Sequence, residues 1–142
     1  MKLEEVKEAI IKALEIDAHH LDRSAVETPV RYGQLLTIRS AENMELKRLN
    51  ILFAEKENEK RLYYSGKADP AVYKEKPLDV RVLKAEIQRY LDADKELQEI
   101  ALLIGIQQEK IDLITDALKG VLQKTFHIKA AIDYQKMQNG LM

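Results

Sequence analysis

Apolar residues recur at every third or fourth position along most of this chain, which is the spacing of amphipathic α-helices. Near the N-terminus, Leu3, Val6, Ile10 and Leu14 follow this spacing, and polar residues occupy most of the positions between them. We therefore predict a first helix over residues 2–15 that buries one of its faces.

A second helical region follows, with Asp17 or Asp22 as its candidate N-cap. Pro29 falls inside this region. Because proline lacks an N–H donor, we expect it to break or bend the helix, most simply by occupying a first helical turn. The apolar spacing continues as far as Leu62. The apolar positions before that residue are Leu21, Ala25, Val30, Leu35, Leu36, Ala41, Met44, Leu49 and Phe53.

The residues after Leu62 predict a turn. Gly66 and Pro70 should end the preceding helix, because glycine favours helix C-termini and proline cannot continue a helix. Pro77 marks the far side of a polar segment. We therefore predict a loop over residues 66–77.

The C-terminal half carries the most regular pattern. One row of positions, three and four residues apart, continues for about three and a half heptads and contains a single polar member, Gln107. Gln107 either is buried, where it would set the packing register, or lies at the edge of the row. The row consists of Leu97, Ile100, Ile104, Gln107, Ile111, Ile114, Leu118 and Val121.

A second apolar row lies beside the first and contains Leu103, Ile106, Leu113 and Ala117. Two rows form more apolar surface than one partner helix covers, so we expect this helix to lie in the middle of a bundle or to join an oligomer. The residues predicted to drive oligomerisation are Leu97, Ile100, Ile104, Ile111, Ile114, Leu118, Val121, Phe126, Ile128 and Ile132.

We expect this helix to extend from about Leu78 to about Lys124, a length on the order of 70 Å at 1.5 Å per residue. Gly105 and Gly120 fall inside it. One of them should allow a second helix to approach closely, and Gly120 is also a candidate bend before a short terminal helix.

Composition agrees with helices and limits the functional classes. The chain of 142 residues suggests one domain, and its few aromatic residues, 6% of the total, favour helices over strands. The formal net charge is −1, so any contact with nucleic acid must come from a local patch. The absence of cysteine excludes disulfides, thiolate zinc sites and a cysteine nucleophile. The charged N-terminus does not resemble a signal peptide, and we expect a soluble, intracellular protein.

No catalytic motif emerges from the sequence. His19, His20 and His127 are the three histidines, and none belongs to an HExxH motif. The chain also contains no phosphate-binding glycine loop and no nucleophile elbow. We therefore predict a protein that is not an enzyme and has neither a cofactor nor a metal site.

A cluster of cations and tyrosines surrounds the predicted loop. Cations neutralise phosphates and aromatic faces stack on bases, which together suit single-stranded nucleic acid. In the alternative interpretation, the tyrosines are core residues of a helix end and the lysines only keep the loop soluble. Four carboxylates between them, Glu55, Glu57, Glu59 and Glu75, favour that alternative. The cluster consists of Lys56, Lys60, Arg61, Tyr63, Tyr64, Lys67, Tyr73, Lys74 and Lys76.

Several segments, in this order and spacing, resemble the UvsY family of recombination mediators of T-even bacteriophages. The chain opens with "MKLEEVKEAI" and continues with "IDAHHLDRSAVETPVRYGQLLTIRSA". The sharpest similarity is "LYYSGKAD" at residues 62–69. "LDADKELQ" at residues 91–98 and "FHIKAAID" at residues 126–133 follow. The resemblance covers nearly the whole chain.

The resemblance implies a mediator without catalytic activity. Such a protein would bind single-stranded DNA and contact the phage strand-exchange recombinase and the phage single-strand-binding protein. It would load the recombinase onto DNA that the binding protein covers. It would also form a homo-oligomeric ring, hexameric or heptameric, in the cytoplasm of the infected bacterial host and away from the membrane.

The resemblance also points to residues. The family associates DNA binding with cations just before its Tyr-Tyr-Ser-Gly element, which here matches Lys60 and, one position displaced, Arg61. Asn58 stands where the family pattern has a cation, a loss for which Lys56 can compensate. The predicted DNA-binding residues are Lys56, Lys60, Arg61, Tyr63, Tyr64, Lys67, Lys74 and Lys76, and the nearest alternative set is Arg81, Lys84 and Arg89.

Together these observations predict an all-α fold: an elongated helical hairpin or bundle with a long, heptad-patterned C-terminal helix that assembles into a homo-oligomeric ring. Residues 2–65 would form N-terminal helices with a DNA-binding end, and residues 78–138 would form the oligomerisation helices. The competing hypotheses are a structural helical adaptor that does not bind DNA and, with least support, a hydrolase with an unrecognised site.

Overall fold

The computed structural model of the protein describes residues 1–140, and no strand occurs among them. Two helices of 44 residues each account for most of the fold. The helices are α1 (Leu3–Leu14), α2 (Leu21–Tyr64), α3 (Pro70–Glu75), α4 (Ile87–Asp92) and α5 (Lys95–Gln138), and a 3₁₀ turn at Lys84–Glu86 precedes α4. The predicted all-α class with a long C-terminal helix is confirmed. Within the described residues, no helix combines the length and hydrophobicity that crossing a bilayer requires.

The start of α2 differs from the prediction. Neither Asp17 nor Asp22 caps it, because the backbone N–H of Ser24 bonds to the carbonyl of His20, which occupies the N-cap position. Asp17 instead organises the preceding turn, where its carboxylate accepts bonds from the backbone N–H of His19 and from Nδ1 of His20. These two bonds hold the pKa of Asp17 below its usual range.

The sequence predicted that Pro29 would break or bend α2, most simply by occupying its first turn. The predicted break and the predicted first-turn position were wrong. Pro29 lies more than two turns inside a continuous helix. The ring removes the N–H that would bond to the carbonyl of Ala25. The hydroxyl of Thr28 donates to the Ser24 carbonyl at 2.8 Å, so the side chain adds a bond to the backbone of the turn that leads into the proline.

The predicted bounds of the long C-terminal helix were wrong at both ends. Helix α5 begins at Lys95 because Asp94 caps it, accepting the backbone N–H of Leu97 at 3.1 Å. It then continues to Gln138, so the last stretch is not a separate helix. Residues 78–83, expected to be helical, form an irregular connection with a bend at Val80.

The two glycines of α5 have different surroundings. A methyl group added at Gly120 would lie 2.9 Å from Cδ2 of Leu14, so the end of the Leu14 side chain in α1 would have to shift to admit it. Nothing lies within 4 Å of the same position at Gly105. The helix runs through both, and the candidate bend at Gly120 does not interrupt it.

The contacts of the described residues form two compact units. The first contains residues 1–44 and 107–140, and the second contains residues 45–106. The expected single domain and its division at residues 66–77 remain predictions. In the first unit, α1 and parts of α2 and α5 enclose a core of Val6, Ala13, Leu35, Ile114, Ala117, Leu118 and Val121.

Buried polar groups of the first unit are bonded. Gln107 is 4% exposed, so it is a buried member of its row, and its amide donates to the carbonyl of Glu42 at 2.8 Å. The Glu42 carboxylate pairs with Nζ of Lys110 at 2.9 Å. Elsewhere in this unit, Nζ of Lys124 donates to the carbonyl of Ala13 at the end of α1, and burial lowers the pKa of this lysine.

The second unit contains the end of α2, the connection with α3 and α4, and the beginning of α5. Its core consists of Ile87, Leu91 and Leu97, with Phe53, Tyr64 and Val82 packed against them. The predicted DNA-binding residues all belong to this unit.

Candidate nucleic-acid interface

The end of α2 is a Schellman turn, and it places Lys67. Gly66 has φ of +77°, a conformation that L side chains rarely adopt. The backbone N–H of Lys67 bonds to the carbonyl of Leu62 at 2.9 Å, and that of Gly66 bonds to the carbonyl of Tyr63 at 3.2 Å. The chain therefore reverses sharply after the helix, with Lys67 exposed directly beyond its end.

Tyr63 and Tyr73 fasten the loop to the helix end. Their rings stack with centroids 5.4 Å apart and planes 19° apart. The hydroxyl of Tyr63 donates to the carbonyl of Lys76 at 3.0 Å, and the hydroxyl of Tyr73 donates to the carbonyl of Tyr63 at 2.8 Å. The predicted stacking of Tyr63 on a base remains a prediction, and the structure shows this ring in intramolecular contacts.

Tyr64 packs toward the core of the second unit. Its hydroxyl donates to Oδ2 of Asp94 at 2.7 Å, and its ring contacts that of Tyr90 with centroids 5.5 Å apart. Burial raises the pKa of Tyr64 and the adjacent carboxylate raises it further, so the hydroxyl remains a donor at neutral pH. For Tyr64 this arrangement agrees with the alternative interpretation, in which the tyrosines are core residues of a helix end.

Asp94 links two of the segments that resemble the UvsY family. It accepts bonds from Tyr64 in "LYYSGKAD" and from the backbone of Leu97 in "LDADKELQ", and Nζ of Lys60 lies 3.4 Å from its carboxylate. Burial raises the pKa of Asp94, but these partners outweigh it and hold the pKa below its usual range. The carboxylate is therefore charged, and each of its two oxygens has a hydrogen-bond donor.

Lys60 and Lys56 are engaged in ion pairs with carboxylates of α2 and α5 and with the cap residue Asp94. Lys60, whose side chain is 18% exposed, lies 3.4 Å from Asp94 and 2.9 Å from Glu96. Burial lowers the pKa of Lys60, but the two carboxylates raise it by more, so it is charged. Lys56 pairs with Glu59 at 3.3 Å and more distantly with Glu96.

Arg61 has weaker restraints. One of its terminal nitrogens lies 3.2 Å from Oε1 of Glu57 and 3.3 Å from Oε1 of Gln88, and its side chain is 47% exposed. Lys67 and Lys74 are exposed and form no ion pair within residues 1–140. The predicted cations thus divide into a paired group and an available group, a division that requires the tertiary structure.

Two grooves flank the end of α2. We call the first the mixed-charge groove: it encloses about 450 Å³ and has three cations and four carboxylates in its lining. Its charged lining consists of Lys56, Lys60, Lys76, Glu59, Asp69, Glu75 and Glu96. We call the second the cationic groove: it encloses about 550 Å³ and has three cations and no carboxylate in its lining. It is lined by Arg61, Leu62, Ser65, Lys67, Val82, Lys84 and Ile87.

Sequence reasoning gave Lys84 only as part of an alternative set, and the structure places it opposite the end of α2, in the cationic groove. The other two members of that set, Arg81 and Arg89, do not line this groove. Glu96, which binds Lys56 and Lys60, was not identified from the sequence. The sequence offered one signal for Glu96, since an acidic residue two positions after the cap residue Asp94 is typical of the first turn of a helix.

Most residues predicted to drive oligomerisation are buried inside their own chain. Ile114 and Val121 are fully buried, whereas Phe126 is 73% exposed. Their role in assembly remains a prediction. The large apolar side chains of α5 that are exposed are Leu102, Leu103, Ile106, Leu122, Phe126, Tyr134 and Met137.

Comparison with known proteins points to one family. The family described as "Recombination, repair and ssDNA binding protein UvsY" matches residues 10–141. Crystal structures of the bacteriophage T4 recombination mediator protein UvsY have a similar fold. The lattice type II structure is 24% identical with a TM-score of 0.82 and covers 98% of both chains. The lattice type IV structure is 23% identical with a TM-score of 0.79 and covers 97% of this chain and 99% of that one. No curated protein sequence matches this chain significantly.

Proposed function

The chain belongs to the UvsY family of recombination, repair and single-stranded-DNA-binding proteins, and we propose that it is a recombination mediator that binds single-stranded DNA and helps load a strand-exchange recombinase. The observation that carries this proposal is the family match over residues 10–141. The fold shared with the T4 mediator over nearly the full length of both chains supports it. The activity proposed is binding rather than catalysis.

We propose that the single-strand site lies at the end of α2 and in the connection that follows. All eight predicted DNA-binding residues fall there, in the second unit, and the exposed cations among them can neutralise phosphates. One protomer would make few contacts with DNA, because Lys56 and Lys60 are already paired with carboxylates. A mediator must also release DNA to the recombinase, so weak contacts per protomer suit the function.

We propose that the protein assembles into a homo-oligomeric ring through α5. Exposed Leu122 and Phe126 are large apolar side chains without cover in the protomer, which supports a contact with a second copy. The buried members of the predicted set, such as Ile114, would support that surface from within. A ring would present several weak DNA sites at high effective concentration and so raise overall affinity.

The proposed partners are the phage recombinase and the phage single-strand-binding protein, in the cytoplasm of the infected host. Support comes from family membership. The competing hypothesis, a structural adaptor that does not bind DNA, is favoured by the internal pairing of Lys56 and Lys60.

Fluorescence anisotropy of labelled oligo-dT across a salt series separates the two hypotheses. A mediator should bind the oligonucleotide, and affinity should fall steeply as salt rises, because bound phosphates release counterions. Mass photometry of the same sample would give the number of protomers. Absence of oligo-dT binding at low salt by an assembled, folded protein would exclude the mediator proposal and favour the adaptor.

A further inference from the structure

We propose that the cationic groove holds the phosphates of the bound strand and that Lys67 and Lys84 contact them directly, whereas Lys60 positions the site through Asp94 and Glu96. This inference rests on the proposed single-strand binding. It assigns DNA contact to two lysines from different segments.

Three local structures bring the cations of the groove together. Arg61 extends from the last turn of α2, and Lys67 follows the Schellman turn at Gly66. Lys84 begins the 3₁₀ turn before α4. Because each cation is supplied by a different segment, the groove exists only in the folded chain.

Electrostatics favours this groove over its neighbour. A phosphate entering the mixed-charge groove meets four carboxylates and must compete with the short contact between poorly exposed Lys60 and Glu96. In the cationic groove, Lys67 and Lys84 have no ion pair within the described chain. The pair of Arg61 with Glu57 is an exposed contact one helical turn apart, a kind that contributes little stability and is readily exchanged.

The apolar lining of the cationic groove suits the base and sugar of a nucleotide. Leu62, Val82 and Ile87 provide apolar surface between the cations, against which a base or sugar can lie. Cations that follow the backbone, together with apolar surface that accepts any base, are the combination that binds single strands with little sequence preference. The ligand class is therefore a single strand bound through its phosphates with little sequence preference.

The geometry gives Lys60 a different role. Its ammonium group is held by Asp94, which also binds Tyr64 and caps α5. Removing Lys60 therefore disturbs the base of the loop that carries Lys67. A loss of DNA binding on substitution of Lys60 would be accompanied by a loss of stability, whereas substitution of Lys67 or Lys84 would leave stability unchanged.

The direct test is the double variant Lys67→Gln with Lys84→Gln. Its matched control is Lys47→Gln with Lys119→Gln, which removes the same charge from exposed positions outside both grooves. We expect the groove variant to bind oligo-dT about tenfold more weakly or worse. Its salt slope should be lower by about 1.4 for each protomer that engages the strand, from about 0.7 per lost phosphate contact. The control should match the parent.

Lysine acetylation followed by mass spectrometry gives a second readout. Oligo-dT should protect Lys67 and Lys84 from acetylation and leave Lys47 and Lys119 unchanged. The inference is overturned if the parent binds oligo-dT and the groove variant binds with the same affinity and salt slope as the control, or if Lys67 and Lys84 remain unprotected. A parent that does not bind oligo-dT would exclude the proposed function itself, which separates the two failures.

Discussion

The two grooves beside the end of α2 share Leu62 and contain three cations each, yet they offer different chemistry to an anion. In the mixed-charge groove, the carboxylates of Asp94 and Glu96 already hold Lys60. In the cationic groove no carboxylate contributes to the lining. The difference shows that the number of lysines near a loop does not predict phosphate binding, because carboxylates brought in by tertiary contacts decide which cations are available.

The largest expected effect comes from removing Asp94, which holds Lys60 of the mixed-charge groove. Asp94→Ala removes the cap of α5, the acceptor for Tyr64 and a partner of poorly exposed Lys60. We expect a loss of about 3 kcal/mol of unfolding free energy, measured by urea denaturation. Lys84→Gln, in the cationic groove, should change stability by less than about 0.5 kcal/mol. Equal stability of the two variants would show that Asp94 does not organise the site.

A smaller effect is expected at Gly66, which shapes the cationic groove through the Schellman turn. Gly66→Ala places a Cβ at positive φ, which should lower the free energy of unfolding by about 1–2 kcal/mol. Because the strained turn carries Lys67, oligo-dT binding should weaken as well. Gly105→Ala is the control, since it lies in a helix with open space around it and should be neutral or stabilising. Unchanged stability and binding for Gly66→Ala would contradict this account of the turn.

The smallest expected effect is a dependence of stability on acid pH. The pKa of Asp94 is lowered on folding from its ordinary value of 3.8, although burial opposes the shift. A carboxyl with a depressed pKa stabilises the folded state above its ordinary pKa, and that stability is lost as pH falls through the lower folded value. The parent should therefore lose stability below about pH 4 more steeply than Asp94→Asn, as measured by urea denaturation. Parallel pH profiles would show that this carboxylate is not charged and bonded in the folded protein.

The sequence predicted the helices better than their ends. The spacing of apolar residues predicted α1 and the row of mostly buried residues from Leu97 to Val121 in α5, since both depend on local periodicity. It misplaced the start of α5 by extending the helix back to about Leu78, past the local cap at Asp94, whose carboxylate accepts the N–H of Leu97 three residues on. It also gave Pro29 too much weight, since packing in the first unit overrides the cost of one missing hydrogen bond.

The candidate site was predictable as a region but not as a set of contacts. The turn at Gly66 was evident from local sequence, and so was the concentration of cations around it. The pairing of Lys60 with Asp94 joins residues far apart in the chain, and so does the meeting of Lys67 with Lys84. No local pattern reports such contacts, so the division into paired and available cations required the folded chain.

The most direct test of this account compares the two grooves in one experiment. Lys67→Gln with Lys84→Gln removes two cations from the cationic groove, and Lys56→Gln with Lys60→Gln removes two from the mixed-charge groove. The measurement is the salt slope of oligo-dT anisotropy for each folded variant. We expect the first variant to lose about 1.4 from the slope per engaged protomer. The second should retain the slope of the parent even where its affinity falls, because Lys60 positions the loop without contacting a phosphate. A retained slope in the first variant with a reduced slope in the second would contradict the account.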